Sequence, residues 1–173
     1  MNTSLPSLQV NDKAPLFEAP TDSGERFSLS EQIGKTNVVL YFYPKDFTTG
    51  CTKESCAFGD NWEKILSLGA IVVGVSSDSV ESHRAFKQEH MLPFTLVSDQ
   101  KHEIRKMYGV EGRFLLPPRV TFVIDRQGVI RDIFSSQLSM SKHIDNSLRV
   151  LEQIGGKKEA QLPMSTEEKR GSS

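Results

Sequence analysis

The sequence predicts an α/β protein in which helices cover both faces of a mixed central sheet. Three observations carry this prediction. Apolar runs rich in β-branched residues at 37–43 and 70–76 are typical of buried strands. Segments with helical spacing alternate with these runs, as they do around parallel strands. A late apolar run at 119–125 is followed by a turn and a second strand, which predicts an antiparallel hairpin.

The segment before the first central strand carries weaker signals. Short apolar stretches on either side of a turn at 21–24 predict an N-terminal β-hairpin. Ser28 or Ser30 is expected to cap a short helix that ends near Gly34.

The remaining elements follow from periodicity and from the residues that end helices. In chain order they are strand 37–43, helix 51–68, strand 70–76, helix 79–90, strand 94–97, helix 102–108, strand 119–125, strand 129–134 and helix 141–154. Ser79 is a typical helix cap. Gly69, Gly109 and the pair Gly155-Gly156 are expected to end helices. A loop at 111–118 precedes the strand at 119–125.

This order of elements is thioredoxin-like, with three α/β/α layers and an added N-terminal β-hairpin. The chain has 173 residues, which suits one domain, and no linker or internal repeat divides it. We expect the domain to span 8–154, with a disordered N-terminus at 1–7 and a polar C-terminal tail at 155–173.

Composition and charge exclude several functional classes. The formal net charge of −1 gives no reason to expect binding to nucleic acid or to a membrane surface. No apolar run approaches the roughly 20 residues that a transmembrane helix needs. The first residues have neither the basic region nor the apolar region of a signal peptide, so a cytoplasmic protein is the default expectation.

Both cysteines of the chain lie where a strand gives way to a helix. Two cysteines are too few for a disulfide scaffold, and a close pair in a reducing compartment is typically catalytic, redox-active or metal-binding. Cys51 falls in the first turn of the predicted helix, where free backbone N–H groups and the helix dipole favour a nucleophilic thiolate. Thr48 can offer a hydroxyl to the same space, and Pro44 stiffens the entry to the loop.

The spacing of the pair carries a conformational prediction. Cys56 follows Cys51 by five residues, which in a regular helix is a rise of about 7.5 Å. A disulfide does not close over a Cα separation beyond about 7 Å unless the backbone moves. The sequence therefore predicts two separated thiols in the reduced state, or a locally unwound helix in the oxidised state.

The segment from Tyr43 to Cys56 resembles the active-site segment of a peroxiredoxin of the bacterioferritin-comigratory-protein/peroxiredoxin Q group. Pro44, Thr48 and Cys51 meet the family pattern Pro-x-x-x-Thr-x-x-Cys, and Cys56 stands at the position of the resolving cysteine. Arg119 matches the family's distant arginine at the start of a late strand. The resemblance covers about 8–154.

The sequence departs from the family pattern at two positions. Thr49 stands where the subfamily usually has proline, and we expect this to loosen the loop before the reactive cysteine. Val120 follows the arginine where serine or threonine is more usual, which weakens the assignment of that arginine.

The resemblance implies a thiol peroxidase. The Cys51 thiolate would attack hydrogen peroxide or an organic hydroperoxide, with Thr48, Arg119 and the Cys51 N–H as donors and Pro44 shielding the sulfenic acid product. Glu54 would orient the arginine. Cys56 would then form an intramolecular disulfide, and a thioredoxin-type dithiol would reduce it. This cycle implies no cofactor and no metal, and a monomer is expected because the resolving cysteine is in the same chain.

Two other functions share this fold. A thiol–disulfide oxidoreductase would normally carry Cys-x-x-Cys, whereas the spacing in this chain is Cys-x4-Cys. A copper-binding protein would use Cys-x3-Cys with a remote histidine, so His102 or His143 would have to reach the pair. We otherwise expect all four histidines to lie on helix surfaces without a role, namely His83, His90, His102 and His143.

Overall fold

The computed structural model describes residues 8–110 and 119–159. Within them the strands are β1 (Glu18–Pro20), β2 (Arg26–Ser28), β3 (Asn37–Phe42), β4 (Ala70–Ser76), β5 (Thr95–Ser98), β6 (Val120–Ile124) and β7 (Ile130–Ser135). The helices are α1 (Thr49–Asp60), α2 (Trp62–Ser67), α3 (Val80–His90), α4 (Glu103–Met107) and α5 (Met140–Glu159). The expectations for 1–7, for the loop at 111–118 and for 160–173 fall outside the described residues.

The central sheet is mixed, as predicted. Its strand order is β5-β4-β3-β6-β7, and β1 pairs with β2 in a separate antiparallel hairpin. Strand β3 runs parallel to β4 and antiparallel to β6. The hairpin of β6 and β7 is antiparallel. Strand β3 is therefore the central strand of the sheet. The loop that follows it begins in the middle of the sheet, at the end where β3 and β4 finish and β6 starts.

Two hydrophobic cores bury both faces of the sheet, which is why β3 is one continuous apolar run. Alternate β3 residues point to opposite faces, so Val38 and Leu40 join one core and Val39 and Tyr41 join the other. The first core also contains side chains of the N-terminal hairpin and of α4. The second contains side chains of α1, α2, α3 and α5, and it includes Cys51.

Helix ends follow the predicted signals at three positions. Ser79 caps α3, because its side-chain oxygen accepts the N–H of Ser82 at 3.1 Å. Gly69 and Gly109 follow helical segments with φ of +74° and +66°, a conformation that favours glycine.

Three predicted helices differ from the structure, namely the helix before Gly34, the helix over 51–68 and the last helix. The short helix expected before Gly34 is a series of turns, because Ser28 belongs to β2 and pairs with Glu18. The helix expected over 51–68 is divided at Asn61, whose amide Nδ2 donates to the carbonyl oxygen of Ala57 at 2.8 Å.

Helix α5 does not end at Gly155 but continues to Glu159, so the predicted tail begins with a helical turn. Glycine in a helix costs only about 1 kcal/mol relative to alanine. Among the described residues, no helix is both long enough and apolar enough to cross a lipid bilayer.

Candidate active site

Cys51 lies fully buried in the first turn of α1, directly beyond the loop that follows β3. Thr48 is the N-cap residue, with an extended backbone at φ −86° and ψ 151°, and its carbonyl oxygen accepts the N–H of Thr52 at 2.9 Å. Thr49 is the first helical residue, a position that proline also favours. The departure from the family pattern at Thr49 therefore leaves a helix start in place.

The hydroxyl of Thr48 is already engaged. It donates to the carbonyl oxygen of Lys45 at 2.9 Å and does not cap the helix. A hydroxyl has one proton to donate but two lone pairs. The side chain of Thr48 is exposed, so its oxygen can still accept a hydrogen bond from a bound molecule.

Arg119 is the cation beside the buried sulfur. It directly precedes β6, is 7% exposed, and its Nη1 donates to the Sγ of Cys51 at 3.1 Å. Cys51 follows the loop after β3, and Arg119 precedes the antiparallel strand β6. The two residues are 68 positions apart in sequence, so no local sequence pattern predicts their contact. The guanidinium brings a fixed positive charge to the buried sulfur.

Glu54 is fully buried one turn further along α1 and faces the same arginine. Its Oε2 lies 3.5 Å from Nη1 of Arg119, and neither carboxyl oxygen has a hydrogen-bond partner. Burial raises the pKa of Glu54 from 4.5 to about 7, although Arg119 pulls it down. The effect of burial on this pKa outweighs that of Arg119, because the contact between Glu54 and Arg119 is long and Arg119 also contacts the sulfur of Cys51.

The buried carboxyl of Glu54 predicts a pH-dependent loss of stability. Since the pKa of Glu54 is raised in the folded state, its contribution to the free energy of unfolding is complete below about pH 4.5. This contribution is lost as the pH rises to about 7. Glu54→Gln, which resembles the protonated form, should lose less stability than wild type between pH 5 and pH 8. The difference should be on the order of 1–3 kcal/mol in urea unfolding of the reduced protein.

Glu63→Gln is the matched control, because Glu63 is an exposed residue of the neighbouring α2. This control should lose as much stability as wild type over the same pH range. Equal losses in wild type and Glu54→Gln would show that the carboxyl of Glu54 does not titrate in that range.

Gly50 allows the arginine to approach the helix start. A Cβ at this position would lie 2.7 Å from Nη2 of Arg119, too close without a shift of the guanidinium. Gly50→Ala should therefore fold normally but displace Arg119 from Cys51. The rate at which the Cys51 thiol reacts with hydrogen peroxide should fall by about tenfold or more, since small misplacements of reacting groups are costly.

Gly155→Ala is the control for this substitution. Gly155 is also helical, and a Cβ there would meet no atom within 4 Å. Its Cys51 should react with hydrogen peroxide at the wild-type rate. An unaltered rate in Gly50→Ala would contradict the close approach of Arg119 to the helix start.

Cys56 lies on the same helix, half-buried, and both cysteines are free thiols, as predicted for the reduced state. Burial, and secondarily the charge of Asp60, raises the pKa of the Cys56 thiol. Between the cysteines, Glu54 faces Arg119 and the Ser55 hydroxyl is 2.8 Å from that of Tyr41. A disulfide would require both contacts to break as α1 unwinds.

The histidine prediction is wrong for His83 and His143, which are both fully buried. His143 lies 2.8 Å from the Thr121 hydroxyl through Nδ1, and its Nε2 donates to the carbonyl oxygen of Ser136 at 2.8 Å. Burial lowers its pKa. His102 is exposed at the start of α4. With both nitrogens of His143 engaged, the arrangement gives no support to a copper site with the cysteines.

His83 belongs to a polar cluster that the sequence interpretation missed. Ligand atoms of Asp46, Asp78 and His83 lie within 4.8 Å of one another. They are engaged with each other and with neighbouring donors, so the cluster is a hydrogen-bond network and not an open metal site. The helical spacing of His83 with the buried Phe86 was the available signal for its burial.

A cavity of about 530 Å³ lies at the opposite end of the sheet. Its lining includes Asn37 at the start of β3 and Asp125 after the end of β6. None of the predicted site residues lines it. The predicted site residues lie at the other end of the sheet, after the end of β3 and at the start of β6.

Comparison with known proteins gives a consistent result. The sequence model of the AhpC/TSA family matches residues 10–133. The chloroplastic peroxiredoxin Q of Suaeda salsa is 46% identical over 142 residues, which is 81% of this chain and 66% of that protein. The putative peroxiredoxin bcp of Coxiella burnetii is 47% identical over 135 residues, covering 74% of this chain and 89% of that protein.

Solved structures agree with this. The peroxidoxin BcpB of Mycobacterium tuberculosis superposes with a TM-score of 0.80 at 34% identity, over 85% of this chain and 98% of that one. Peroxiredoxin Q of Xanthomonas campestris superposes with a TM-score of 0.75 at 29% identity, over 80% of this chain and 91% of that one. The chain spans just under two thirds of the Suaeda salsa protein and most of the bacterial ones.

Proposed function

The chain belongs to the AhpC/TSA family, and on that premise we propose that it is a thiol peroxidase that reduces hydrogen peroxide and organic hydroperoxides through Cys51. The observation that carries the proposal is the contact of 3.1 Å between Nη1 of Arg119 and the buried Sγ of Cys51 at the start of a helix. A cation and a helix N-terminus together favour the thiolate, which is the form that attacks a peroxide.

In the first step the Cys51 thiolate attacks one oxygen of the peroxide and the O–O bond breaks. The sulfur keeps that oxygen as a sulfenic acid, and the other oxygen leaves as hydroxide or alkoxide and takes up a proton. Arg119 stabilises the charge that develops on the oxygens. Since the Thr48 proton is held by Lys45, Thr48 would accept a hydrogen bond from the peroxide rather than donate one. Pro44, half-buried at the loop entry, limits access of a second peroxide.

In the second step the Cys56 thiol condenses with the sulfenic acid, giving a disulfide and water. Helix α1 is continuous through both cysteines, so it has to unwind around Glu54 and Ser55 first. Thiol–disulfide exchange with a thioredoxin-type dithiol then restores both thiols. We assign the cycle to a monomer in a reducing compartment, with the cytoplasm as the proposed location.

Cys56→Ser should consume one equivalent of peroxide per chain and then stall, because the sulfenic acid of Cys51 has no resolving partner. Wild type should turn over repeatedly with hydrogen peroxide, thioredoxin, thioredoxin reductase and NADPH. The measurement is NADPH oxidation beside direct peroxide consumption.

Sustained turnover by Cys56→Ser at the wild-type rate would contradict the resolving role of Cys56. Absence of peroxide consumption by reduced wild type would contradict the proposed function itself.

A further inference from the structure

The loop between β3 and α1 is tied down by Asp46, which is only 2% exposed. Its Oδ1 accepts the phenol O–H of Tyr43 at 2.6 Å, and its Oδ2 accepts the hydroxyl of Ser82 at 2.9 Å. The same Oδ2 lies 2.7 Å from Nδ1 of His83. The backbone N–H of Asp46 donates to Oδ2 of Asp78 at 2.8 Å. Side chain and backbone of one loop residue are thus both fixed.

Both ring nitrogens of His83 have a hydrogen-bond partner, and these partners show where its protons lie. Its Nε2 lies 3.0 Å from the carbonyl oxygen of Val97, which can only accept, so Nε2 carries a proton. Its Nδ1 faces a carboxylate oxygen, so a second proton lies between His83 and Asp46. A fully buried contact of this kind is costly to break, because Nδ1 of His83 would lose its 2.7 Å partner and the buried carboxyl of Asp46 would keep only the hydroxyls of Tyr43 and Ser82.

The residue after Asp46 has a strained backbone. Phe47 has a φ of +62°, in the left-handed region that a bulky residue avoids at a cost of about 1–2 kcal/mol. Its side chain is 49% exposed and touches Phe86 edge-on, with ring centroids 5.3 Å apart. Such a conformation persists only where its neighbours impose it. Asp46 is fixed on one side of Phe47, and on the other side the carbonyl oxygen of Thr48 accepts the first N–H of α1, that of Thr52.

We propose that the contact between Asp46 and His83 is a buried latch that holds Phe47 in its left-handed conformation and thereby positions Cys51 against Arg119. Cys51 sits in the first helical turn after Phe47, whereas Arg119 comes from the start of β6. A change in the backbone conformation of Phe47 would therefore move Cys51 but not Arg119. This inference rests on the proposed function, in which Asp46 and His83 are positioning residues that do not touch the peroxide.

The test compares three variants of the full chain. His83→Leu removes the donor to Asp46, and Asp46→Asn removes the carboxylate. His83→Asn keeps an N–H near the position of Nδ1. Glu89→Gln is the control, because Glu89 is exposed on the same helix α3. Stopped-flow measurements with hydrogen peroxide separate the second-order oxidation of Cys51 from the first-order formation of the disulfide.

His83→Leu and Asp46→Asn should slow the oxidation of Cys51 by about tenfold to a hundredfold, the loss expected from misplaced reacting groups. Disulfide formation should be unchanged or faster in the same variants, because it starts from an unwound α1. His83→Asn should recover most of the oxidation rate, and Glu89→Gln should match wild type. A merely structural role would not slow one step and spare the other.

Hydrogen exchange tests the latch without any peroxidase activity. In Asp46→Asn, amides at 46–52 should exchange at least about tenfold faster, while those of β3 keep their wild-type rates. Unchanged oxidation and unchanged exchange in Asp46→Asn would overturn the latch, and so would faster exchange throughout β3. If wild type consumes no peroxide, the proposed function fails and the exchange result still decides the latch. Asp46→Asn and His83→Asn decide it if His83→Leu does not fold.

Discussion

Replacing Cys51 with serine is expected to abolish peroxide reduction. The serine hydroxyl is not deprotonated near neutral pH and is a poor nucleophile toward an O–O bond, even beside Arg119. The substitution is nearly isosteric at a fully buried site, so the fold should persist. Peroxide consumption by the reduced variant should equal the protein-free background, both in the first turnover and with thioredoxin recycling.

Cys56→Ser is the matched control for this experiment, since it removes the other thiol of the same helix. It should retain the first turnover that Cys51→Ser loses. Peroxide consumption by Cys51→Ser above background, with wild-type folding, would remove Cys51 from the mechanism.

Replacing Arg119 should produce the second-largest loss. Arg119→Met removes both the cation at 3.1 Å from the sulfur and the donor toward the developing oxygen charge. The loss of one preorganised donor of this kind costs about 10²–10³ in rate, so kcat/KM should fall by at least that factor. Arg119→Lys should fall between wild type and Arg119→Met, because lysine keeps the charge but not the planar fork.

The second effect of Arg119→Met falls on Glu54. Arg119 lowers the pKa of that carboxyl, so without the arginine the carboxyl should remain protonated to higher pH. Arg149→Met, an exposed arginine of α5, is the control and should retain full activity. A kcat/KM within about threefold of wild type in Arg119→Met would show that another group stabilises the thiolate, since a donor of that kind costs far more.

The sequence was informative where local physics decides the outcome. Strand β3 and strand β4 are buried on both faces, so their apolar runs have no other stable arrangement. The position of Cys51 in a first helical turn follows from the same local pattern. The helix stop at Gly69 is local as well.

The division of 51–68 has a local cause, the side-chain bond from Asn61 to the carbonyl oxygen of Ala57, which periodicity does not reveal. The other errors lie where tertiary contacts decide. Gly155 continues α5 because the cost of a helical glycine is small beside the packing of Leu148 and Leu151. A histidine on an amphipathic helix is exposed or buried according to its partner, and the partner of His83 is a loop aspartate far away in sequence.

The contact between Cys51 and Arg119 could be predicted from the family resemblance but not from local sequence patterns. Spacing within the chain places neither residue near the other, and only the resemblance to a family joined them. The folded chain places them 3.1 Å apart because β3 and β6 are neighbours in the sheet. The burial of Glu54, by contrast, had no signal in its charge or in its position on a helix that begins with polar residues.

The most direct test of the two-cysteine mechanism is peptide mapping of the reduced wild-type chain after one equivalent of hydrogen peroxide, with free thiols alkylated before digestion. Trypsin cleaves after Lys53, between the two cysteines, so an intramolecular disulfide would join two peptides that are otherwise separate. We expect a monomer lighter by two hydrogens, with the Cys51 peptide linked to the Cys56 peptide. Oxygen added to Cys51 while Cys56 stays fully alkylated, with no linked peptide, would contradict the mechanism.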